Sequence, residues 1–130
     1  MIAFGSDNRI REVSNYWLKV MGYERQEVVG QEGSRFITSE SHQRLLEAME
    51  RTVREGERVL RSFPLVAVRK DGRTLDILCT SVLEMDEFGH PLGAIAVGVD
   101  ISDIRRAEEA VRESEARYRA MVEHNRKSVV

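Results

Sequence analysis

Three histidines and a single cysteine limit the chemistry this chain can carry. His42, His90 and His124 fall in segments of different character. A metal site needs three or four donor atoms converging on one point, and a nucleophilic triad needs nucleophile, base and orienting group in contact. Histidines scattered over separate elements predict neither. Cys79 lies inside "TLDILCTSVLEM", an apolar and β-branched run that predicts a strand, so its thiol is expected to be buried and structural. The sequence offers no glycine-rich phosphate loop, no paired catalytic carboxylates and no activated nucleophile. A non-catalytic domain is the expectation.

The more informative polar residues stand at a junction. In "GAIAVGVDISDIRRAEEAVRESEARYRAMVEH" an apolar run stops at Asp100 and a highly charged stretch begins with no turn between. Asp100 and Ser102 can each cap the N–H groups at a helix start, and Asp103 suits the positive end of its dipole. Beyond them Ile104, Ala107, Val111, Tyr118 and Met121 follow a seven-residue repeat, with Ser114 and Asn125 at weaker core positions. So narrow a stripe suits a two-stranded coiled coil rather than a globular core. Most helical stability comes from packing an apolar face, so a helix this polar needs a second copy beside it. A homodimer is the expected partner.

These residues need a frame, and the preceding hundred supply one. "MIAF", "GSDN" and "RIREV" predict two strands and a tight turn, with Gly5, Asp7 and Asn8 as turn residues. "SNYWLKVMGY" predicts a short helix capped by Ser14 and ended by Gly22. "ERQEVVGQEGSRFI" predicts a helical turn and a loop, with Val28, Val29 and Phe36 turned inward. From Ser39 to Glu55 the spacing predicts a longer helix that buries Leu45, Leu46, Met49 and Val53, with Gly56 as its C-terminal cap. Three strands follow, "RVLRSFPLVAVR", "TLDILCTSVLEM" and "LGAIAVGV". The Asp71-Gly72 turn joins the first two, and Pro64 places the first at a sheet edge or a bulge.

The totals narrow the class. With 130 residues and 42% apolar content, one domain with a real core is expected. A net charge of −2 leaves no basic excess to neutralise phosphates, so nucleic acid is not an expected partner. No apolar run reaches membrane-spanning length and no signal-peptide pattern is present, so no membrane contact by this segment is expected. One cysteine and no possible internal disulfide fit a reducing, cytoplasmic setting.

The stretches "DNRIREVSNYWLKVMGYERQEVVGQ", "VRKDGRTLDI" and "GAIAVGVDISDIRRAEEAVRESEARYRAMVE" resemble the PAS domain, a sensory and dimerisation module of bacterial signalling proteins. The resemblance rests on Gly22-Tyr23, Glu27 to Gly30, Lys70-Asp71-Gly72 and Asp100-Ile101-Ser102, in that order. Ser14 and Asn8 depart from the family pattern, each with a residue suited to its local role. The resemblance implies an α+β fold, a five-stranded antiparallel sheet with helices on one face, followed by a long C-terminal coiled-coil helix. Expected boundaries are 1–101 for the sensory domain, 102–124 for the signalling helix and 125–130 for the start of a further domain. It also implies a signal passed through the exit helix to an effector in the same parent chain, most often a histidine kinase of a two-component system. A diguanylate cyclase or phosphodiesterase and a transcription regulator are the alternatives, and a ligand-free homodimerisation scaffold is the other class of reading.

Within this frame a pocket would be lined by Trp17, Met21, Phe36, Leu46, Ile77, Cys79 and Ile95, although each suits a plain core position equally. So apolar a lining favours a small hydrophobic ligand or none. Haem-binding relatives carry their ligand on the helix corresponding to Ser39–Glu55, but His42 lies in its first turn before the apolar stripe, so haem is not expected. "GQEGSRFI" is similar to the flavin-binding light-sensing branch, where a cysteine precedes Arg-Phe. Ser34 stands there, so covalent flavin photochemistry is excluded, and the cofactor is otherwise unknown. In relatives the residue at Asp100 ties the last strand to the helix base. A signal-transfer hinge at Asp100 and Ser102 and a simple N-cap both remain open.

Overall fold

The computed structural model describes residues 1–128, with side chains described as far as Glu123. Strands β1 (Ile2–Gly5) and β2 (Ile10–Val13) open the chain, followed by helices α1 (Asn15–Met21) and α2 (Arg25–Val28). A 3-10 turn, Gly33–Phe36, leads into α3 (Ser39–Arg54). Strands β3 (Val59–Val68), β4 (Thr74–Met85) and β5 (Pro91–Asp100) precede α4 (Ser102–Ser128). The strands form one five-stranded antiparallel sheet in the order β2-β1-β5-β4-β3. Residues Met1–Asp100 make one compact unit and α4 belongs to a second.

Local chemistry sets the boundaries. In the first hairpin the Asp7 carboxylate accepts the Arg9 N–H at 3.0 Å, and Asn8 takes a left-handed φ of 63°. The Ser14 hydroxyl accepts the Trp17 N–H at the start of α1, and Gly22 closes the helix with φ 81°. Thr38, rather than a residue inside the expected span, caps α3 by accepting the Ser41 N–H. At its other end the N–H groups of Gly56 and Glu57 reach back to the carbonyls of Val53 and Thr52, a Schellman closure around a left-handed glycine. Gly93 serves a different need. A side chain there would collide with the Phe4 carbonyl oxygen, so its absence lets β5 approach β1.

Alternation along β4 puts Ile77, Cys79 and Ser81 on the inner face, where Ala96 of β5 lies opposite Ser81. Leu65, Cys79 and Ala96 form one buried cluster there. Ile10, Val13, Met21, Val28, Phe36 and Ala67 form another, with Trp17, Leu18 and Tyr23 packed against it. Val28 is fully buried, but its neighbour Val29 is exposed, contrary to the expectation that both turn inward. The reason is local: α2 ends at Val28, and Val29 takes an extended conformation that turns its side chain away.

The buried face of α3 also differs from the expected stripe. Ser41, Ala48 and Thr52 are buried and Leu45 packs on the core, whereas Leu46 is 52% exposed and Val53 is exposed too. One residue of rotation, about 100° of helix, separates Leu45 from Leu46. Small residues face the sheet because α3 lies close to β3, where the Ser41 hydroxyl accepts the Val66 N–H at 2.9 Å.

Both sheet edges are closed. Beside β3, the Thr38 N–H donates to the Val66 carbonyl, Arg44 donates to the Pro64 carbonyl, and Ile37 pairs with Ala67. Pro64 therefore stands on an edge strand, next to a bulge between Leu60 and Phe63. Beside β2, Ile10 exchanges hydrogen bonds with Gly30 and Gln31, and Arg25 donates to the Val13 carbonyl. Occupied in this way, the covered stretches of both edges offer few free backbone groups to a strand from another chain.

Candidate functional site

The inner face of the sheet and the helices above it meet around three rings. Trp17 lies edge-on to Phe36 with centroids 5.4 Å apart, Tyr23 lies edge-on to Phe36 at 5.1 Å, and Trp17 and Tyr23 stack at 6.4 Å. These distances are the favoured ones for aromatic pairs. Short α1 delivers Trp17 and Met21, the left-handed Gly22 turns the chain so that Tyr23 follows, and the 3-10 turn delivers Phe36. On the sheet side Ile77 packs against both buried clusters.

Of the seven residues expected to line a pocket, the structure brings Trp17, Met21, Phe36, Ile77 and Cys79 to this inner region. Leu46 and Ile95 are not part of it. Leu46 lies on the exposed side of α3. Ile95 pairs with Ala3 and Val82, and alternation turns it to the opposite face of the sheet from Ala96 and Cys79. Reasoning from sequence missed Phe4, Tyr23, Ser41 and Leu65, which pack there instead, and it had Leu45 on the buried face of α3 without counting it in the lining. The spacing Ser41, Leu45, Ala48, Thr52 was a helical face in the sequence, hidden because two of its members are polar.

The buried hydroxyls are engaged inside the domain, while the Arg69 Nε is buried without a hydrogen-bond partner. Ser41, 1% exposed, accepts the Val66 N–H, and the Thr52 hydroxyl donates to the Ala48 carbonyl at 2.8 Å. Cys79 is buried with its sulfur 3.7 Å from the Ser81 hydroxyl, and burial pushes the thiol's pKa up, which disfavours the reactive thiolate. Ser34 sits in the 3-10 turn, on a different element from Cys79. His42 occupies the first turn of α3, and His90 lies in the β4–β5 turn with its Nδ1 3.2 Å from Asp86. The side chain of His124 lies outside the described residues. Among the described residues no group of three His, Cys, Asp or Glu side chains could hold a metal ion.

An open cleft of about 490 Å³ lies beside the first hairpin. Arg9, Arg11, Val29 and Leu92 are among its walls.

At the junction, Asp100 pairs with Ile77 as the last residue of β5, and only Ile101 separates it from α4. Asp100 and Ser102 both engage partners. Helix α4 runs 27 residues to Ser128, past the expected limit of 124, while residues 129 and 130 of the expected further domain lie outside the described ones. Asp103 and Arg106 form an ion pair one turn apart, and Ile104, Val111, Tyr118 and Met121 are all exposed.

Comparison with known proteins gives this geometry a family. Among solved structures, the PAS domain of a protein from Colwellia psychrerythraea is similar with a TM-score of 0.69 and 16% identity, covering 78% of this chain and 85% of that one. A sensory box histidine kinase/response regulator from Burkholderia thailandensis matches with a TM-score of 0.67 and 19% identity, over 92% of this chain and 88% of that one. A light-oxygen-voltage domain, from work on its mechanism with a flavin analogue, matches with a TM-score of 0.62 and 25% identity, over 88% and 86%. No curated protein matches the sequence. The family model described as "PAS domain" matches residues 1–103, four-fifths of the chain and the whole of the sheet with its covering helices, and the chain belongs to the PAS domain family.

Proposed function

We propose that the chain is a sensory and dimerisation module whose domain biases the pairing of α4 with α4 of a second copy. The observation that carries this reading is the junction: β5 passes into α4 through one residue, and α4 presents an apolar stripe that is exposed. A strain in β5 therefore reaches the helix base without an intervening loop. Ala107 and Ser114 are weak core residues, so two pairings can differ by only a few kcal/mol, the gap a switch requires. The effector we assign is a histidine kinase of a two-component system in the same parent chain. Similarity to a sensory box histidine kinase/response regulator supports it, and a diguanylate cyclase, phosphodiesterase or transcription regulator is the alternative. In this reading the module is not an enzyme and works in the cytoplasm; no helix among the described residues is long and apolar enough to cross a membrane.

No covalent flavin step enters this reading, because Ser34 stands where the light-sensing branch has its cysteine; a flavin held without a covalent bond stays compatible with the similarity to a light-oxygen-voltage domain. Trp17, Tyr23 and Phe36 already occupy one another's faces and edges. The same packing favours a second reading, a ligand-free homodimerisation scaffold. If the domain is ligand-responsive, the surroundings suit a small apolar molecule.

Sedimentation equilibrium on the full chain and on an Ile104→Glu/Val111→Glu variant tests the pairing. The full chain is expected to be a dimer and the variant a monomer with an unchanged domain melting transition. A variant as dimeric as its parent sinks the role of α4. Native mass spectrometry of the purified chain then separates the two readings: a retained small molecule supports sensing, and a bare chain the scaffold.

A further inference from the structure

The inner face is closed unevenly. Backbone hydrogen bonds and a bridge seal the β3 edge, and others seal the β2 edge. At the corner between α1 and α2 the closure is of another kind. The corner meets the β3–β4 turn through one backbone bond, Lys70 N–H to the Met21 carbonyl at 3.0 Å, and one ion pair, Lys70 Nζ to Glu27 Oε1 at 2.6 Å. Tyr23, Phe36, Met21 and Val28 lie in the cluster behind it.

Glu27 has two tasks in this corner. Its Oε1 takes the Lys70 ammonium, while its Oε2 accepts the Glu24 N–H at 2.9 Å and closes the capping box of α2. One carboxylate therefore joins the start of α2 to a turn 43 residues away in the chain. Helix α2 is four residues long and buries Val28; Arg25 ties its β2 side to the Val13 carbonyl and to Asn15, so the Glu27–Lys70 pair fastens the opposite side, the one free to swing. An ion pair this exposed contributes weakly, which suits a fastening that must release on its own.

We propose that the Glu27–Lys70 pair is a latch, and that the α1–α2 corner it fastens is the door by which a small apolar molecule reaches the Trp17–Tyr23–Phe36 cluster. Opening swings Tyr23 and Val28 off Phe36 and leaves the sheet paired. The latch rests on the sensory reading for its purpose. Its test reads opening alone, so failure of the latch leaves the α4 pairing untouched, and failure of the pairing leaves the latch standing.

The test is native-state hydrogen exchange on the full chain, comparing Glu27→Gln and Lys70→Met with the parent. Glutamine still accepts in a capping box, so Glu27→Gln removes the charge and spares α2, while Lys70→Met removes the other partner. Exchange of the amides of residues 23–29 is expected to quicken about two- to fivefold in both variants, with the amides of Gly30 and of Leu78 to Ser81 unchanged. Molar sodium chloride is expected to quicken the same segment in the parent by screening the pair. Arg54→Gln, which breaks the exposed Arg54–Glu50 pair on α3, is expected to leave that segment alone. In stopped flow, the uncharged apolar dye Nile red should bind both latch variants faster by a similar factor. Unchanged exchange, a uniform rise over the whole chain, or faster exchange without faster dye binding overturns the latch.

Discussion

The domain of Met1–Asp100 and the helix α4 solve the same problem in opposite ways. The domain holds itself together from within, through two buried clusters, satisfied buried hydroxyls and hydrogen bonds along its sheet edges, while Val82, Val97 and Val99 stay exposed on the sheet. Helix α4 is longer than any other element, carries charge on most of its surface, and leaves Ile104, Val111, Tyr118 and Met121 exposed. The first kind of structure is stable by intramolecular burial, and the second is stable in proportion to whatever binds its stripe. A module of this construction keeps its own fold while the state of its exit helix varies, and that division is what a relay needs.

The largest effect expected from breaking the division is in the core. Phe36 is 5% exposed and touches both Trp17 and Tyr23, so Phe36→Ala removes one ring and strands two others. A loss of about 3–5 kcal/mol is expected, a large part of the stability of a domain this size. Urea unfolding followed by Trp17 fluorescence checks it. A loss below about 1 kcal/mol would mean that the rings are loosely held and that the domain is less self-contained than its packing indicates.

Ser41→Ala comes next. The substitution removes the acceptor of the Val66 N–H at a position that is almost fully buried, and an unsatisfied buried amide costs about 1–3 kcal/mol. Because this bond also occupies the open side of β3, the variant is expected to aggregate more readily as well, through the edge it uncovers. Denaturant titration measures the first effect and light scattering at equal concentration the second. A stable, non-aggregating Ser41→Ala variant would show that Thr38 and Arg44 suffice to close the edge.

What was legible in the sequence divides along the same line. Turn and cap chemistry is local, and it was readable: Ser14 caps α1, Gly22 ends it, Asn8 takes the left-handed turn position, and Pro64 lies on an edge strand. The family resemblance implied five antiparallel strands, but their order, β2-β1-β5-β4-β3, was not written in any one segment and came with the structure. Faces were harder. Leu46 was expected inward because it shares an apolar stripe with Leu45, Met49 and Val53, yet Ser41, Ala48 and Thr52 take the buried side of α3, since close packing on β3 selects small residues. Ile95 was placed beside Cys79, but the strand alternation becomes definite only once the register with β4 is known, and it puts Ile95 on the other side. Tyr23 was noted as a family marker and not as a core ring, because its packing on Trp17 and Phe36 depends on the turn at Gly22.

The smallest expected effect is one of pH, and it sharpens the comparison because both carboxylates involved lie in the domain. The hydrogen bond from the Lys70 ammonium, with help from the Glu24 N–H, holds the Glu27 carboxyl below its ordinary value of 4.5. The His90 N–H, with the Phe88 N–H and the His90 ring, holds Asp86 below its ordinary 3.8. A group with a depressed folded pKa adds stability above its unfolded value and loses it as pH falls through the folded one. The domain's melting temperature is therefore expected to be flat from neutral pH down to about 5, then to fall below about 4.5 as Glu27 and Asp86 take up protons. Glu27→Gln together with Asp86→Asn keeps acceptors in both places and removes the titrating charges, so the fall should become shallower. Both groups are exposed, so the change is small and should shrink further in high salt. If the double variant falls as steeply as its parent, the acid sensitivity lies outside these two contacts, and α4, with its dense row of glutamates, becomes the place to seek it.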